Sequence, residues 1–195
     1  LMKDPDRVAD CIAAMIDAVD IPVTVKCRLC VDECNELFFL NNFVEKVSKV
    51  KCQKFIVHAR KAWLQGLSPK ENREVPPLRY DIVAQIKTAY PDLTIILNGG
   101  VKDMPGVKNG LDKFHGVMIG REAYQNPYFL AAIERDIFGN NSILSRETVA
   151  RAMVPYIEQQ QKDYGTPVKC ITRHMMGLFK GQYGGGLWRR YLSEN

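Results

Sequence analysis

Apolar positions along this chain recur with two periods, and the two alternate. Val8, Cys11, Ile12, Met15 and Val19 fall three or four residues apart, on one face of a helix that Asp4-Pro5 can open with a capping aspartate and a proline at the first helical position. Ile21-Pro22 closes that helix, and Val23 to Cys27 reads as a strand. The change of period then repeats. A helix is expected over about Glu36 to Lys49, with Leu40, Phe43, Val44 and Val47 on one side, and a strand at Phe55 to His58. Next come a helix from Tyr80 to Tyr90 stopped by Pro91, a strand at Thr94 to Leu97, and a weaker helix over Val101 to Asp112 broken by Pro105 and Gly106. A strand at Gly116 to Ile119 precedes a helix begun by Asn126-Pro127, with Phe129, Leu130, Ile133 and Ile137 on its face. Strands that alternate with helices in this way make a parallel sheet with right-handed crossovers.

The alternation stops after Ile119. Ser145 can cap a long helix to about Tyr164, bent at Pro155 and ended by Gly165; a further helix is expected from Val168 to Lys180, followed by the tail GQYGGGLWRRYLSEN. Residues from about 141 to 195 therefore read as a small all-α domain and residues 1–140 as an α/β domain. A (β/α)8 TIM barrel needs eight strand–helix units and about 250 residues, and only four units are present. The chain also begins at Leu1, without an initiating methionine, on a helix with no strand before it. The expectation is the carboxyl-terminal half of a (β/α)8 TIM barrel followed by a small all-α helical domain, as part of a longer protein. An open half barrel leaves two unpaired edges and is not expected to be stable alone.

Polar residues at the carboxyl ends of barrel strands face the active-site mouth. That rule selects Lys26, Arg28, His58, Arg60, Asn98 and Arg121. Two of the strands end in glycine-bearing turns, Asn98-Gly99-Gly100 and Gly120-Arg121. Such turns let backbone N–H groups approach an anion, a following helix N-terminus adds positive potential, and Arg121 offers a fork of donors suited to phosphate. As a pair they resemble the phosphate grip of a TIM barrel. A strand-ending lysine could offset negative charge on a reduced flavin or an enolate, and a histidine could donate to a cofactor ring or phosphate. Lys26 could equally snorkel to solvent and His58 be a satisfied core histidine; both readings stand.

Composition narrows the class without choosing a function. The chain has 195 residues, 46% hydrophobic and 25% charged, which suits a globular protein with a sizeable core. It has neither an apolar run of membrane-spanning length nor a signal or transit pattern at its start, so a soluble, cytoplasmic protein is expected, with an organelle left open. The net charge of +5 is compatible with a nucleic-acid partner and does not require one. Six cysteines without an export signal are expected to be reduced, and Cys27, Cys30 and Cys34 lack a fourth ligand at matching spacing, so no metal is expected. Basic and aromatic residues interleave in the long connection Ala59 to Arg79 (Lys61, Trp63, Lys70, Arg73, Arg79) and near the end (Arg173, His174, Trp188, Arg189, Arg190). That mixture suits phosphate contacts and base stacking, or else a solvated basic face.

The runs PVTVKCR, FIVHARKAWLQGLSPKENREVPPL, LNGG, GVMIGREAYQNP and TRHMMGLFKGQYGGGLWRRYLSEN together resemble the A subgroup of bacterial-type tRNA-dihydrouridine synthases, over essentially the whole chain. The resemblance implies an FMN-dependent barrel with a carboxyl-terminal helical domain and tRNA between the two, a monomer in full length. It implies that NADPH reduces the flavin, which delivers hydride to C6 of an extruded uracil to give 5,6-dihydrouridine, in D-loop uridines around positions 20 and 20a. By resemblance, Lys26 and His58 contact the flavin, Asn98, Gly99, Gly100, Gly120 and Arg121 hold its phosphate and ribityl side, and Lys70, Arg73 and Arg189 contact tRNA. Three departures stand out. The proton-donor cysteine lies on a loop expected upstream of Leu1, and none of the six cysteines matches it by motif. Gly186 stands where the family has an arginine, and Cys30 with Cys34-Asn35-Glu36 replaces a glycine and an acidic, serine-tyrosine stretch. The alternatives are a non-catalytic tRNA-binding remnant and another FMN barrel acting on a small molecule, such as a dihydroorotate dehydrogenase; the long basic loop and arginine-rich tail argue against the latter.

Overall fold

The computed structural model describes residues 1–194, which divide into two compact units, Leu1–Ile119 and the chain from Gly120 onward. The first unit opens with helix α1 (Pro5–Ala18), whose N-cap Asp4 accepts a hydrogen bond from the Arg7 amide at 3.2 Å. Strand β1 (Val25–Arg28), helix α2 (Glu36–Ser48), strand β2 (Lys54–His58), helix α3 (Tyr80–Ala89), strand β3 (Thr94–Asn98), helix α4 (Met104–Lys113) and strand β4 (Gly116–Met118) follow in turn. The four strands form one parallel sheet in the order β1-β2-β3-β4. This is the α/β alternation expected from the two periods. The expected bounds move by one to three residues, mostly at strand ends, where side-chain period alone does not fix the last ladder bond.

Alternation along each strand divides the sheet into two faces. Val25, Cys27, Phe55, Val57, Ile95 and Leu97 point to one side and are buried against Leu40, Phe43, Val44 and Val47 of α2 and Ile82, Val83 and Ile86 of α3. Side chains of this size contribute about 1.5–3 kcal/mol each when buried; truncating the fully buried Phe55 to alanine should cost about 3–5 kcal/mol. On the other side stand Lys26, Arg28, Ile56, His58, Ile96 and Asn98, none of them buried.

The second unit contains helices α5 (Arg121–Gln125), α6 (Phe129–Asp136), α7 (Arg146–Tyr164), α8 (Val168–Thr172) and α9 (Gly185–Glu194). The long helix has its expected caps: Ser145 accepts from the Thr148 amide at 3.1 Å, and Gly165 takes the left-handed conformation at φ 64°. It runs unbroken through Pro155. Three expectations change here. The helix expected to start at Asn126-Pro127 begins at Phe129 as α6 and ends at Asp136, preceded by the short α5 that Asn126 ends. The helix expected over Val168 to Lys180 stops at Thr172 and continues as turns. In that stretch the Gly177 backbone passes so near the Gln125 carbonyl that a Cβ there would collide with it, and the Met175 carbonyl accepts from the Trp188 indole at 3.0 Å, drawing the backbone into tighter i to i+3 bonds. The glycine-rich tail, for which no element was expected, forms α9.

Candidate functional site

Strand register sets the candidate residues in rows. Arg28, His58, Asn98 and Met118 are paired across the four strands, and one row earlier stand Lys26, Ile56, Ile96 and Gly116. Lys26, His58 and Asn98 therefore share the face away from the helices, at the carboxyl end of the sheet. Partial desolvation lowers the pKa of Lys26, although its side chain is exposed, and the neighbouring Arg28 charge lowers it further. The Asn98 amide donates to the Met118 carbonyl at 2.9 Å, tying β3 to β4 at that end.

The turn after β3 requires its glycines. Gly99 and Gly100 have φ of 110° and 73°, a region where L-residues are strained. A Cβ on Gly99 would lie 2.6 Å from Cδ2 of His58, and one on Gly100 would lie 2.9 Å from the Tyr80 hydroxyl. Tyr80 donates to the Gly99 carbonyl at 2.6 Å and fixes the turn, while burial pushes the phenol's pKa up. The turn at Gly120 differs: its φ is −105° and an added Cβ would meet nothing within 4 Å. The helix-end potential expected beyond each turn is also weaker than the pattern implied. Asp103 caps α4 with its own carboxylate, accepting from the Gly106 amide at 2.8 Å, and the helix after Gly120 has only five residues.

The long connection from Ala59 to Arg79 is ordered by side chains that the basic pattern had offered as RNA contacts. Glu36, only 12% exposed, pairs with Arg79 at 3.1 Å and Lys61 at 3.7 Å, so one carboxylate holds both ends of the loop. Lys61 also stands 5.3 Å over the Trp63 ring. Arg28 stands in the row with His58, but its guanidinium is committed to the loop: its Nη1 donates to the carbonyls of Lys61 at 3.0 Å and Asn72 at 2.6 Å. Arg60 likewise donates to the carbonyls of Glu74 and Pro76. Ser68 and Glu71 cap each other's backbone amides ahead of a short 3-10 turn, Glu71–Arg73, and these bonds hold the Glu71 carboxyl below the usual carboxylate range. Lys70 and Arg73, at either end of this turn, are exposed.

In the second unit, Trp188 packs on Phe179 with ring centroids 4.8 Å apart, and with its indole bonded to Met175 it is a packing residue rather than a stacking platform. Arg173 donates to His174, which meets the Tyr124 hydroxyl at 2.9 Å, and Arg190 stands 4.0 Å from Glu194. Arg121 and Arg189 are exposed, the first at the start of α5 and the second on α9.

The cysteines depart from expectation in one respect. Cys30 and Cys34 form a disulfide in the loop after β1: the chain reverses over the three residues between them, with Asp32 at φ 59°, which brings the two thiols together. Cys27 lies on the helix-facing side of the sheet, where burial pushes its pKa up to about 12, and Cys52 is buried too. Cys11 and Cys170 are exposed. Among the described residues no cluster could hold a metal ion, and no helix is long and apolar enough to cross a membrane.

Sequence reasoning missed Glu36, Asn72 and Tyr80. The Ser68-x-x-Glu71 pattern was a legible capping signal; nothing local marks Glu36 or Asn72, whose partners lie 5 to 44 residues away.

A parallel sheet with cationic and amide groups in register at its carboxyl end, beside a glycine turn that admits no side chain, is what a phosphate-bearing cofactor site in an α/β protein requires. The chain belongs to the dihydrouridine synthase family, described as Dihydrouridine synthase (Dus), whose profile matches residues 1–195. Among similar proteins, the tRNA-dihydrouridine(20/20a) synthase of Shewanella oneidensis is 53% identical over 196 residues, covering 100% of this chain and 58% of that protein. The enzyme of the same name from Escherichia coli K12 is 53% identical over 197 residues, with 100% and 57% covered, and that of Vibrio vulnificus 52%, with 100% and 60% covered. The chain thus spans less than two thirds of the length of these relatives.

Proposed function

We propose that this chain is the flavin-contacting and tRNA-contacting part of a tRNA-dihydrouridine synthase of the A subgroup, formed from the carboxyl-terminal half of a TIM barrel (residues 1–140) and a helical tRNA-binding domain (141–195). The observation that carries the reading is the placement of Lys26, His58 and Asn98 on one open sheet face beside the Gly99-Gly100 turn. These residues fit FMN. The positive-φ glycines make a tight turn packed on His58, Leu78 and Tyr80, and their backbone N–H groups would serve a phosphate or ribityl oxygen. The Lys26 ammonium, disfavoured by partial desolvation and by Arg28, would be favoured again by an anionic isoalloxazine. His58 would contact the ring or its tail, and Gly120 and Arg121 would add donors for the phosphate.

FMN held there and reduced by NADPH would supply the hydride for C6 of a uracil. The protein's own task is to orient and neutralise, with Lys26 holding positive charge near the ring and Asn98 locking the ends of β3 and β4 together. By the family resemblance, the proton donor is a cysteine that none of the six here matches by motif. Lys70, Arg73 and Arg189, all exposed, would neutralise tRNA phosphates, and D-loop uridines around positions 20 and 20a are the expected targets, in line with the relatives' names. The enzyme is expected to act as a cytoplasmic monomer in full length.

The test is a graft. This chain replaces the matching part of the Escherichia coli K12 relative in cells lacking that enzyme, and dihydrouridine at positions 20 and 20a of their tRNA is measured. Restoration supports the reading. A folded, flavin-bearing graft that leaves those uridines unreduced overturns it.

A further inference from the structure

Within the loop between β2 and α3, whose ends Glu36 holds, one amide side chain organises the turn. Asn72 accepts a hydrogen bond from the Trp63 amide at 2.8 Å and donates to the Trp63 carbonyl at 2.8 Å and the Leu67 carbonyl at 3.3 Å. Its own carbonyl receives the Arg28 guanidinium at 2.6 Å, and its backbone amide donates to Ser68 at 2.9 Å. Only a carboxamide offers an acceptor and two donors on one planar group, so aspartate, leucine or serine cannot reproduce this set. Arg28 contacts the Lys61 carbonyl as well, clamping the first stem of the loop and the turn at once. The result is a ring of backbone closed over nine residues, and Lys70 and Arg73 flank the closing residue on either side.

We infer that Asn72, seated by Arg28, is a positioning residue for RNA recognition, fixing in the free protein the turn from which Lys70 and Arg73 meet tRNA phosphates. The inference rests on the tRNA-binding reading above and adds how that surface is built. A pre-ordered turn spares the ordering entropy that a flexible basic loop loses on binding. It also fixes the spacing of two charges, and spacing decides whether both reach phosphates together.

The test is a binding cycle with an unmodified tRNA transcript over a range of salt concentrations. Lys70→Ala with Arg73→Ala should weaken binding and flatten the dependence of log K on log salt by about 1.4–1.8, the share of two phosphate contacts. Asn72→Leu, of similar size but without hydrogen bonds, should weaken binding and flatten the slope in the same direction. Added to the Lys70/Arg73 pair it should cost nothing further, because its effect passes through those residues. Far-UV circular dichroism and melting of each variant register a purely structural role, which would lower stability and leave the slope unchanged. Hydrogen exchange of the unsubstituted chain needs no variant: the Trp63 and Arg73 amides should be equally protected with and without tRNA. Protection that arises only on adding tRNA, or an Asn72→Leu loss that adds fully to the pair, overturns the inference. If the Lys70/Arg73 pair binds as the parent does, or the parent does not bind at all, the tRNA-contact reading falls instead.

Discussion

Gly99 and His58 pack so closely that a Cβ on the glycine would lie 2.6 Å from the imidazole Cδ2 and 3.0 Å from Nε2. With φ at 110°, that position also carries a backbone cost for any L-residue. Gly99→Ala should therefore destabilise the chain by about 2–4 kcal/mol, combining strain with overpacking. Gly120→Ala, where φ is −105° and nothing lies within 4 Å, should stay within about 0.5 kcal/mol of the parent. Urea unfolding of the two variants decides this, and equal losses would contradict it.

Glu36 holds both stems of the 59–79 loop. Removing its charge by Glu36→Gln should release Arg79 and Lys61, costing about 1–2 kcal/mol because the carboxylate is only 12% exposed. The clearer sign is local: limited proteolysis should cut faster between residues 60 and 79. Unchanged cleavage would mean that Arg28 and Asn72 hold the loop without the ion pairs.

Lys26 gives a pH dependence of definite sign. Its folded-state pKa is lowered, by desolvation first and Arg28 second, from the ordinary 10.5. Between the lowered value and 10.5 the unfolded chain binds more protons than the folded one, so this group makes stability rise with pH across that window. Below it the ammonium is a constant penalty. Lys26→Met should thus stabilise the flavin-free chain at neutral pH, and its advantage over the parent should shrink as the pH approaches 10.5. An advantage that grows with pH would reverse the assignment.

The thiols should fall into three classes in alkylation experiments. With no reductant, the exposed Cys11 and Cys170 react in the folded chain, and Cys27 and Cys52 join them only in denaturant. Cys30 and Cys34 react only after reduction. Intact-mass measurement should therefore read two, four and six added groups in turn, and six in denaturant alone would mean that the Cys30–Cys34 bond is not formed.

The fold was legible where periodicity was strong. The buried strands and the apolar stripe of α2 follow directly from the spacing of Phe55, Val57, Ile95, Phe43 and Val47, and Ser145 with Gly165 marked both ends of α7. The turns after Thr172 were not legible, because Gly177 there answers to a backbone 52 residues away in sequence, at Gln125. The strand-end rule picked out Lys26, His58 and Asn98 for the open face. It misread Arg28 and Arg60, whose long side chains turn back to loop carbonyls, and the basic residues of the loop could not be sorted by composition. Lys61 and Arg79 serve Glu36, whereas Lys70 and Arg73 are exposed, a difference that depends on residues distant in sequence.

The sheet leaves one ladder edge open at β1 and another at β4 among the described residues, with the half-buried Ile56 and Ile96 on its uncovered face. Copies of this chain that meet edge to edge can continue each other's hydrogen-bond ladder, so its colloidal behaviour depends on mutual repulsion. A surplus of +5 at neutral pH supplies that repulsion, and it fades as the solution approaches pH 8.9. Concentrating the isolated chain near that pH removes the repulsion that keeps one sheet from extending into the next.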